Sequence, residues 1–538
     1  MVRQPDSADL RRIRLSARSY DPQPKNNNDT FLPLPKRHGN KGIFMEPSPR
    51  TPLSPQQRET LQAALHREWQ GIRFLTELAE ITPYECDGLV AFSQLPLGVV
   101  LPETEAEVQT VLRTCMRLGV PVVPRGAGTG LTGSAMPTPD GIVLAMGKFN
   151  RILEINPQAR TATVQPGVRN LAISDAAAPH QLYYAPDPSS QLACTIGGNV
   201  GENSGGVHCL KYGLTVNNVL KVRAVTMDGS IIELGGAAYD SPGLDLLSVF
   251  IGSEGMFAVV TEVVVKLVPK PRTAQVIMAS FDDMGKAGDA VAAVIAAGII
   301  PAGLEMMDGP ATRAIDNYLN IGYDTRAEAI LLCESDGTPE EVAEEIGRMI
   351  AVFEKSGAIR IQVSRNEIER LVFWSGRKNA FPAAAQLAPD SYCMDGTVPR
   401  RHISTLLRHI TTLEEKYGLK CINVFHAGDG NMHPLILFDN QAGEWPRAEA
   451  FGADILEECV RLGGTITGEH GVGVEKINGM CVQFSEAERE AFWGIKFAFD
   501  PSGLLNADKA IPTKNRCAEY GRMHIPRGTM KFPELERF

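Results

Sequence analysis

The sequence predicts an α+β protein built from two unlike halves, and three observations carry that reading. Up to residue 271, short apolar strands alternate with helical segments. Lys270-Pro271-Arg272 interrupts the pattern, and strands with longer helices restart after it to about residue 490. Glycine supplies 51 of 538 residues, above the usual share of about 7%, and much of the excess falls in loops of the first half.

Each element has a local reason. Leu61, Leu65, Trp69, Ile72 and Leu75 recur at spacings of three and four, which predicts a helix over 55–79. Val99–Leu101 reads as a strand. Thr104 with Glu107 forms a capping box before an apolar stripe of Val108, Val111, Leu112, Cys115 and Leu118. Pro121–Val123, Ile142–Met146 and Thr161–Val164 read as strands. Asp228-Gly229 joins Lys221–Thr226 to Ile231–Leu234 as a hairpin, and Val259–Leu267 closes the half. Beyond residue 272 come a strand at Gln275–Phe281, a helix to Ala297 and a strand at Ala329–Glu334. Thr338, Pro339 and Glu341 then start a helix that buries Val342, Ile346, Met349, Ile350 and Phe353. The expected organisation is a tail over 1–55, a helical segment over 56–94, a glycine-loop domain over 95–271, a second domain over 272–490, a return segment over 491–517 and a tail over 518–538.

Charge and composition narrow the function. Lys+Arg 53 against Asp+Glu 63 leaves a net charge of -10, which argues against a nucleic-acid surface. Residues 1–55 hold nine prolines and are net positive by five, so disorder is expected. A transit-peptide-like stretch at Leu10–Arg18 and a start at Met45 are the competing readings. Ten cysteines without a C-x-x-C pair argue against zinc ribbons and iron–sulfur clusters and fit free, mostly buried thiols in a reducing compartment. No apolar run reaches the ~20 residues of a membrane span; Ala290–Ala302, broken by Gly298 and Pro301, reads as a buried helix.

The first glycine loop runs Pro124, Arg125, Gly126, Ala127, Gly128, Thr129, Gly130, then Gly133 and Ser134. It formally fits G-x-G-x-x-G, but Pro137, Pro139 and Gly141 follow where a dinucleotide motif must open a helix, so that reading fails. An anion-binding nest of backbone N–H groups and a plain surface loop remain. The second loop holds Pro186 and Asp187, then Gly197, Gly198, Asn199, Gly201, Glu202, Asn203, Ser204 and Gly205. The third holds Glu254 and Gly255. Three such loops on one unit point to a large, extended, phosphate-containing ligand approached closely by backbone.

The second half carries sharper chemistry. A two-residue turn at Asp429-Gly430 would make His426 and His433 direct cross-strand neighbours, about 4.5–5.5 Å apart at Cβ. That spacing suits one metal ion; two histidines satisfied by backbone is the alternative. Glu469 and His470 sit between glycines, so their adjacent side chains can serve different partners. Glu469 would complete a two-His-one-carboxylate site or stay a solvated loop carboxylate. Arg377, after a helical stripe of Ile368, Leu371 and Val372, reads as an arginine favoured at a helix C-terminus. A metallohydrolase or non-haem metal enzyme, and a non-catalytic nucleotide-binding subunit, remain as other classes.

The three glycine loops resemble the FAD-binding domain of the vanillyl-alcohol oxidase/p-cresol methylhydroxylase flavoprotein superfamily. The resemblance implies a two-part FAD-binding domain plus an α+β cap domain with an antiparallel sheet. It places FAD along all three loops, with Val260 and Asn506 also at the cofactor. Some members attach flavin through a histidine in or near the first loop. Residues 121–137 contain none, which favours non-covalent FAD, with His208 in the second loop the histidine still to place. His426 to His433 and Glu469-His470 resemble the motif of FAD-linked D-2-hydroxyacid dehydrogenases. Pro83–Gly88, Phe373–Pro382 and Cys393–Arg401 are most similar to the catalytic subunits of bacterial glycolate oxidases, and the resemblance runs from about 50 to about 517.

That resemblance implies a divalent metal (Zn, Mn or Fe) on His426, His433 and Glu469, with His470 as base and Arg377 on the substrate carboxylate. The implied reaction oxidises a small 2-hydroxy acid, glycolate or D-lactate, to the 2-oxo acid. The 2-hydroxyglutarate enzymes of the group use a lysine that Ser391–Asp395 lacks, which favours a monocarboxylate. A companion flavoprotein-like subunit, an iron–sulfur subunit and a cytoplasmic location peripheral to the inner membrane are implied as well.

Overall fold

The computed structural model describes residues 53–89, 91–236, 243–513 and 516–517. The expectations for residues 1–52 and 518–538, including Leu10–Arg18 and Met45, lie outside the described residues.

The first helix, Pro55–Glu68, starts at a Ser54/Gln57 capping box and stops at Trp69. It is shorter than the periodicity predicts, because Gly71 turns the chain at φ 89°. Ile72 and Leu75 continue the apolar spacing through a turn and the strand Arg73–Leu75 instead. That strand opens a four-stranded sheet with Gly98–Leu101, Ile142–Ala145 and Val122–Arg125, in this spatial order. The last three run parallel, with the helix Glu105–Leu118 packed by Val108, Val111, Leu112 and Cys115. Val122–Arg125 ends in the first glycine loop, at the carboxyl end of a parallel strand where ligands of such sheets lie. A five-stranded antiparallel sheet follows: Ile152–Asn156, Thr161–Val164, Val259–Lys266, Val219–Val225 and Ile231–Gly235. Leu505 returns from near the C-terminus to pair with Val122.

The second half is built on a seven-stranded antiparallel sheet, with Gly396–Thr397 and Asn431–Met432 pairing as a separate two-stranded one. The order of the larger sheet is Arg360–Val363, Thr273–Phe281, Ala329–Gly337, Gly303–Asp308, Lys420–Phe425, Pro434–Phe438 and Asp390–Cys393. Side chains alternate between faces at period two. Ile277, Leu331, Met306, Phe425 and Ile436 meet the helices that carry Val291, Phe353, Leu406 and Phe451. Met278, Leu332, Met307, Val424 and Leu435 meet Ile315, Phe373, Trp374 and Ala383. Both faces are covered, so the central strands read as apolar runs rather than alternations. On the helix Glu367–Lys378, Phe373, Trp374 and Arg377 turn inward while Ile368, Leu371 and Val372 face solvent.

Two sequence expectations need correction. Cys481 and Cys517 form a disulfide with Cα atoms 5.8 Å apart, so the thiols are not all free. Spacing could not reveal a pair that only the fold of the C-terminal segment brings together. The histidine hairpin is also displaced by two residues. Asn423 pairs with Pro434 and His426 with Asn431, leaving residues 427–430 as the turn, with Gly430 at φ 73°. A shift of two keeps every side chain on its face, so His426 and His433 remain neighbours, diagonal rather than opposite.

Candidate functional site

Strand parity assembles the second half's chemistry. Glu305, His426 and His433 share the sheet face that bears Met307, Val424 and Leu435. The helix carrying Arg377 packs over the same face. Glu305 is 1% exposed and uses both oxygens: Oε1 pairs with His426 Nδ1 and Oε2 accepts from Arg377 Nε, each at 2.6 Å. His433 Nδ1 meets the Met394 carbonyl at 3.2 Å. With those nitrogens held from behind, both Nε2 atoms converge on one atom, Glu469 Oε1, at 3.2 and 3.1 Å.

Metal-ligating histidines are held in this way, the second nitrogen fixed by a carboxylate or carbonyl. All three ligand atoms lie within 4.8 Å of one another, so the donor set fits a divalent ion. Asp395, His433 and His470 make a second such group, but Asp395 is already committed to Lys476 Nζ at 2.9 Å. Electrostatics agree with a site that takes positive charge. Burial works against charging His426, yet Glu305 and Glu469 raise it well above the ordinary histidine range. Burial likewise opposes the Glu469 anion, and the two histidines pull it well below its ordinary range.

His470 differs. Its ring stacks on His433 with centroids 4.9 Å apart. Burial lowers it to about 4, with Asp395 opposing and His433 adding to the shift, so the ring is neutral near pH 7. Its Nδ1 is buried without a hydrogen bond, and Nε2 lies 3.8 Å from Glu469 Oε1. The His470 loop owes its shape to Asp395, which accepts from the N–H groups of Gly468, Glu469 and His470 and from Thr467 Oγ1.

Glycine loops and histidine cluster line one cavity. Its wall takes Pro124 to Gly130, Ser134, Gly197, Gly198, Asn199, Gly201, Glu202, Ser204, Gly205, Glu254, Gly255 and Val260 from the first half. Arg377, His426, His433, Glu469 and His470 come from the second. The lining fits an extended cofactor. Thr195 Oγ1 and Glu202 Oε2 are buried there without partners, and a Cβ on Gly130 or Gly198 would meet nothing nearer than 3.5 Å except the cavity itself. The Arg125 guanidinium braces the loop from behind, donating to the Cys86 carbonyl at 2.7 Å.

Five expected cofactor residues stand outside that wall. A Cβ on Gly133 would strike Val474, and Pro186 accepts at its carbonyl from Asn170. Asn203 caps a helix at φ 54°. Asn506 donates to the Ser134 and Glu254 carbonyls. Asp187 pairs with His208 Nδ1 at 2.7 Å, whose Nε2 meets Glu334 at 3.3 Å; His208 is therefore engaged at both nitrogens, away from the cavity.

Sequence reasoning missed Glu305, Asp395, Lys476, Thr195 and Phe381, the last of which also lines the cavity. Glu305 had a signal, a carboxylate set between the apolar residues Leu304 and Met306 of the strand Gly303–Asp308. Thr195 and Phe381 had none.

The fold and the cavity together define a flavoprotein architecture. Residues 96–235 match the FAD binding domain family, and residues 270–510 match the FAD linked oxidases, C-terminal domain. The chain is 57% identical to the glycolate oxidase subunit GlcD of Escherichia coli over 89% of its own length and 97% of that protein. It is 41% identical to the subunit of that name in Bacillus subtilis, covering 79% and 91%. A D-lactate dehydrogenase of Archaeoglobus fulgidus is 33% identical, covering 77% and 91%. Among solved structures, p-cresol methylhydroxylase with substrate bound superposes with a TM-score of 0.71 at 18% identity, over 84% of this chain and 96% of that one. The chain belongs to the FAD-linked oxidases, with a p-cresol-methylhydroxylase-type FAD-binding domain and an antiparallel-sheet cap.

Proposed function

We propose that the protein oxidises a small 2-hydroxy monocarboxylate, glycolate or D-lactate, to the 2-oxo acid. The observation that carries this is the single cavity in which Arg377, His470 and the His426–His433–Glu469 donors face the glycine loops. Two of the relatives are named glycolate oxidase subunits and one a D-lactate dehydrogenase. When bound, FAD supplies the hydride acceptor and a divalent ion (Zn, Mn or Fe) supplies acidification of the 2-hydroxyl.

The protein's own residues do the rest. Arg377, fixed at Nε by Glu305, presents its remaining guanidinium edge to the substrate carboxylate. His426, His433 and Glu469 would hold the ion. His470 stands next to them as the proton acceptor for the hydroxyl. FAD is held non-covalently, since His208 is engaged at both ring nitrogens. Electrons leave to partner subunits, which the naming of the glycolate oxidase relatives as subunits supports; a flavoprotein-like chain and an iron–sulfur chain are the partners that the resemblance implies. Attachment at the inner membrane runs through those partners: among the described residues no helix is long and apolar enough to cross a membrane.

The test is anaerobic bleaching of flavin absorbance on adding glycolate, D-lactate, L-lactate or D-2-hydroxyglutarate. Bleaching by the first two supports the reading. Bleaching by none of the four refutes it, and a preference for the dicarboxylate refutes the monocarboxylate assignment.

A further inference from the structure

The loop bearing Glu469 and His470 is held by both halves of the molecule. On one side Asp395 gathers the N–H groups of residues 468–470. On the other, Glu254 accepts from Val472 N–H at Oε1 and from Gly473 N–H at Oε2, both at 2.7 Å. The Thr132 carbonyl then accepts from Val474 and Glu475 at 2.9 and 3.1 Å. Glu254 and Thr132 belong to the glycine-loop half. Glu254 is 6% exposed, and its backbone is left-handed at φ 50°, a conformation that non-glycine residues rarely adopt. Between Gly252 and Gly255, the position would be unstrained as glycine; as glutamate it gives the N–H groups of Val472 and Gly473 their acceptor among the described residues. Gly471 lies at φ 85°, and a Cβ on it would collide with Glu202 Oε2 and come to 3.0 Å from Glu254 Oε1, so loop backbone packs directly on the carboxylates.

We propose that Glu254 is a positioning residue, through which the FAD-binding half aims the loop of Glu469 and His470 into the cavity. The inference rests on the hydroxy-acid oxidation proposed above. It gives Glu254 a different task from direct cofactor binding, because both carboxylate oxygens are engaged by the loop. Substrate anchoring is separate: Arg377 and Glu305 stand on the second half and do not touch Glu254. Losing the tether therefore leaves the carboxylate grip in place and lets the base drift, and a displacement of about 1 Å lowers a rate ~10²-fold.

The experiment uses the full chain loaded with FAD and the variant Glu254→Gln, which keeps size but offers one acceptor to two donors. Amide hydrogen exchange at Val472 and Gly473 should quicken ~10-fold or more, as loss of a charge-assisted hydrogen bond implies. FAD content should be unchanged. Anaerobic flavin reduction should slow ~10²-fold while its half-saturation by substrate moves less than ~3-fold. Glu254→Asp, which keeps the charge but falls short of the loop, provides an intermediate rate and a second variant if the amide fails to fold. A wild-type reduction rate in Glu254→Gln overturns the proposal, as does loss of FAD, which would return the carboxylate to cofactor binding. If no 2-hydroxy acid reduces the wild-type flavin, the substrate reading fails; exchange at Val472 and Gly473 then decides the tether alone, and unchanged protection overturns it.

Discussion

Glu305→Gln tests the reasoning about the histidine site most directly. The carboxylate serves two donors, His426 Nδ1–H and Arg377 Nε–H, each at 2.6 Å. An amide carries one acceptor oxygen, so one donor must face an NH2 group. The guanidinium cannot give up its proton, so the oxygen goes to Arg377 and His426 loses its partner. One lost charge-assisted hydrogen bond is worth about 1.5–3 kcal/mol. Outer partners of metal ligands, when replaced, cost about 10–100-fold in metal affinity, which is about 1.4–2.8 kcal/mol; the two routes agree. Competition of the holoenzyme against a chromophoric chelator should therefore show metal binding weakened ~10–100-fold. FAD content should not change, because Glu305 does not line the cavity wall. Metal affinity within twofold of wild type would refute the assignment of Glu305 as the brace of His426.

Three further outcomes are expected. Acid precipitation of the wild-type protein should release all of its flavin into the supernatant; flavin retained on the polypeptide would contradict the geometry of His208. Burial raises Glu475 to about 7, with Lys476 opposing. A raised carboxyl favours folding below its ordinary 4.5 and loses that contribution as pH rises through about 7. Glu475→Gln should thus be more stable than wild type at pH 8, by as much as about 3 kcal/mol, and the gap should close towards pH 4.5 in thermal melts. Reducing Cys481–Cys517, which closes a loop of 36 residues, should cost about 4 kcal/mol of stability by loop entropy, read as a lower Tm in dithiothreitol.

Much of the site was legible because its signals are local. Glycine-rich loops announce a close backbone approach wherever they sit, and the pairing of His426 with His433 follows from any even register of one hairpin. The register itself differs by two residues from the one that a two-residue turn predicts. Asp429-Gly430 suits a tight two-residue turn, yet the pairing of His426 with Asn431 places four residues in the loop. The face survived that shift because strand side chains repeat every second residue. The first helix was overextended for a similar reason: apolar spacing continued through Gly71 after the helix had ended.

By itself the sequence determined the α+β architecture, the three glycine-rich loops, and the grouping of His426, His433 and Glu469 with His470 beside them. These depend on backbone conformation and spacing within a few residues, which residue type encodes directly. Only the tertiary structure decided that Glu305 links Arg377 to His426, that Asp395 and Glu254 hold the His470 loop from opposite halves, that His208 stands apart from the cavity, and that Cys481 meets Cys517. Each rests on pairings of groups 21 to 219 residues apart. A buried charge takes its role from the partners that compensate it, and those partners are chosen by the packing of the sheets rather than by their neighbours in the chain.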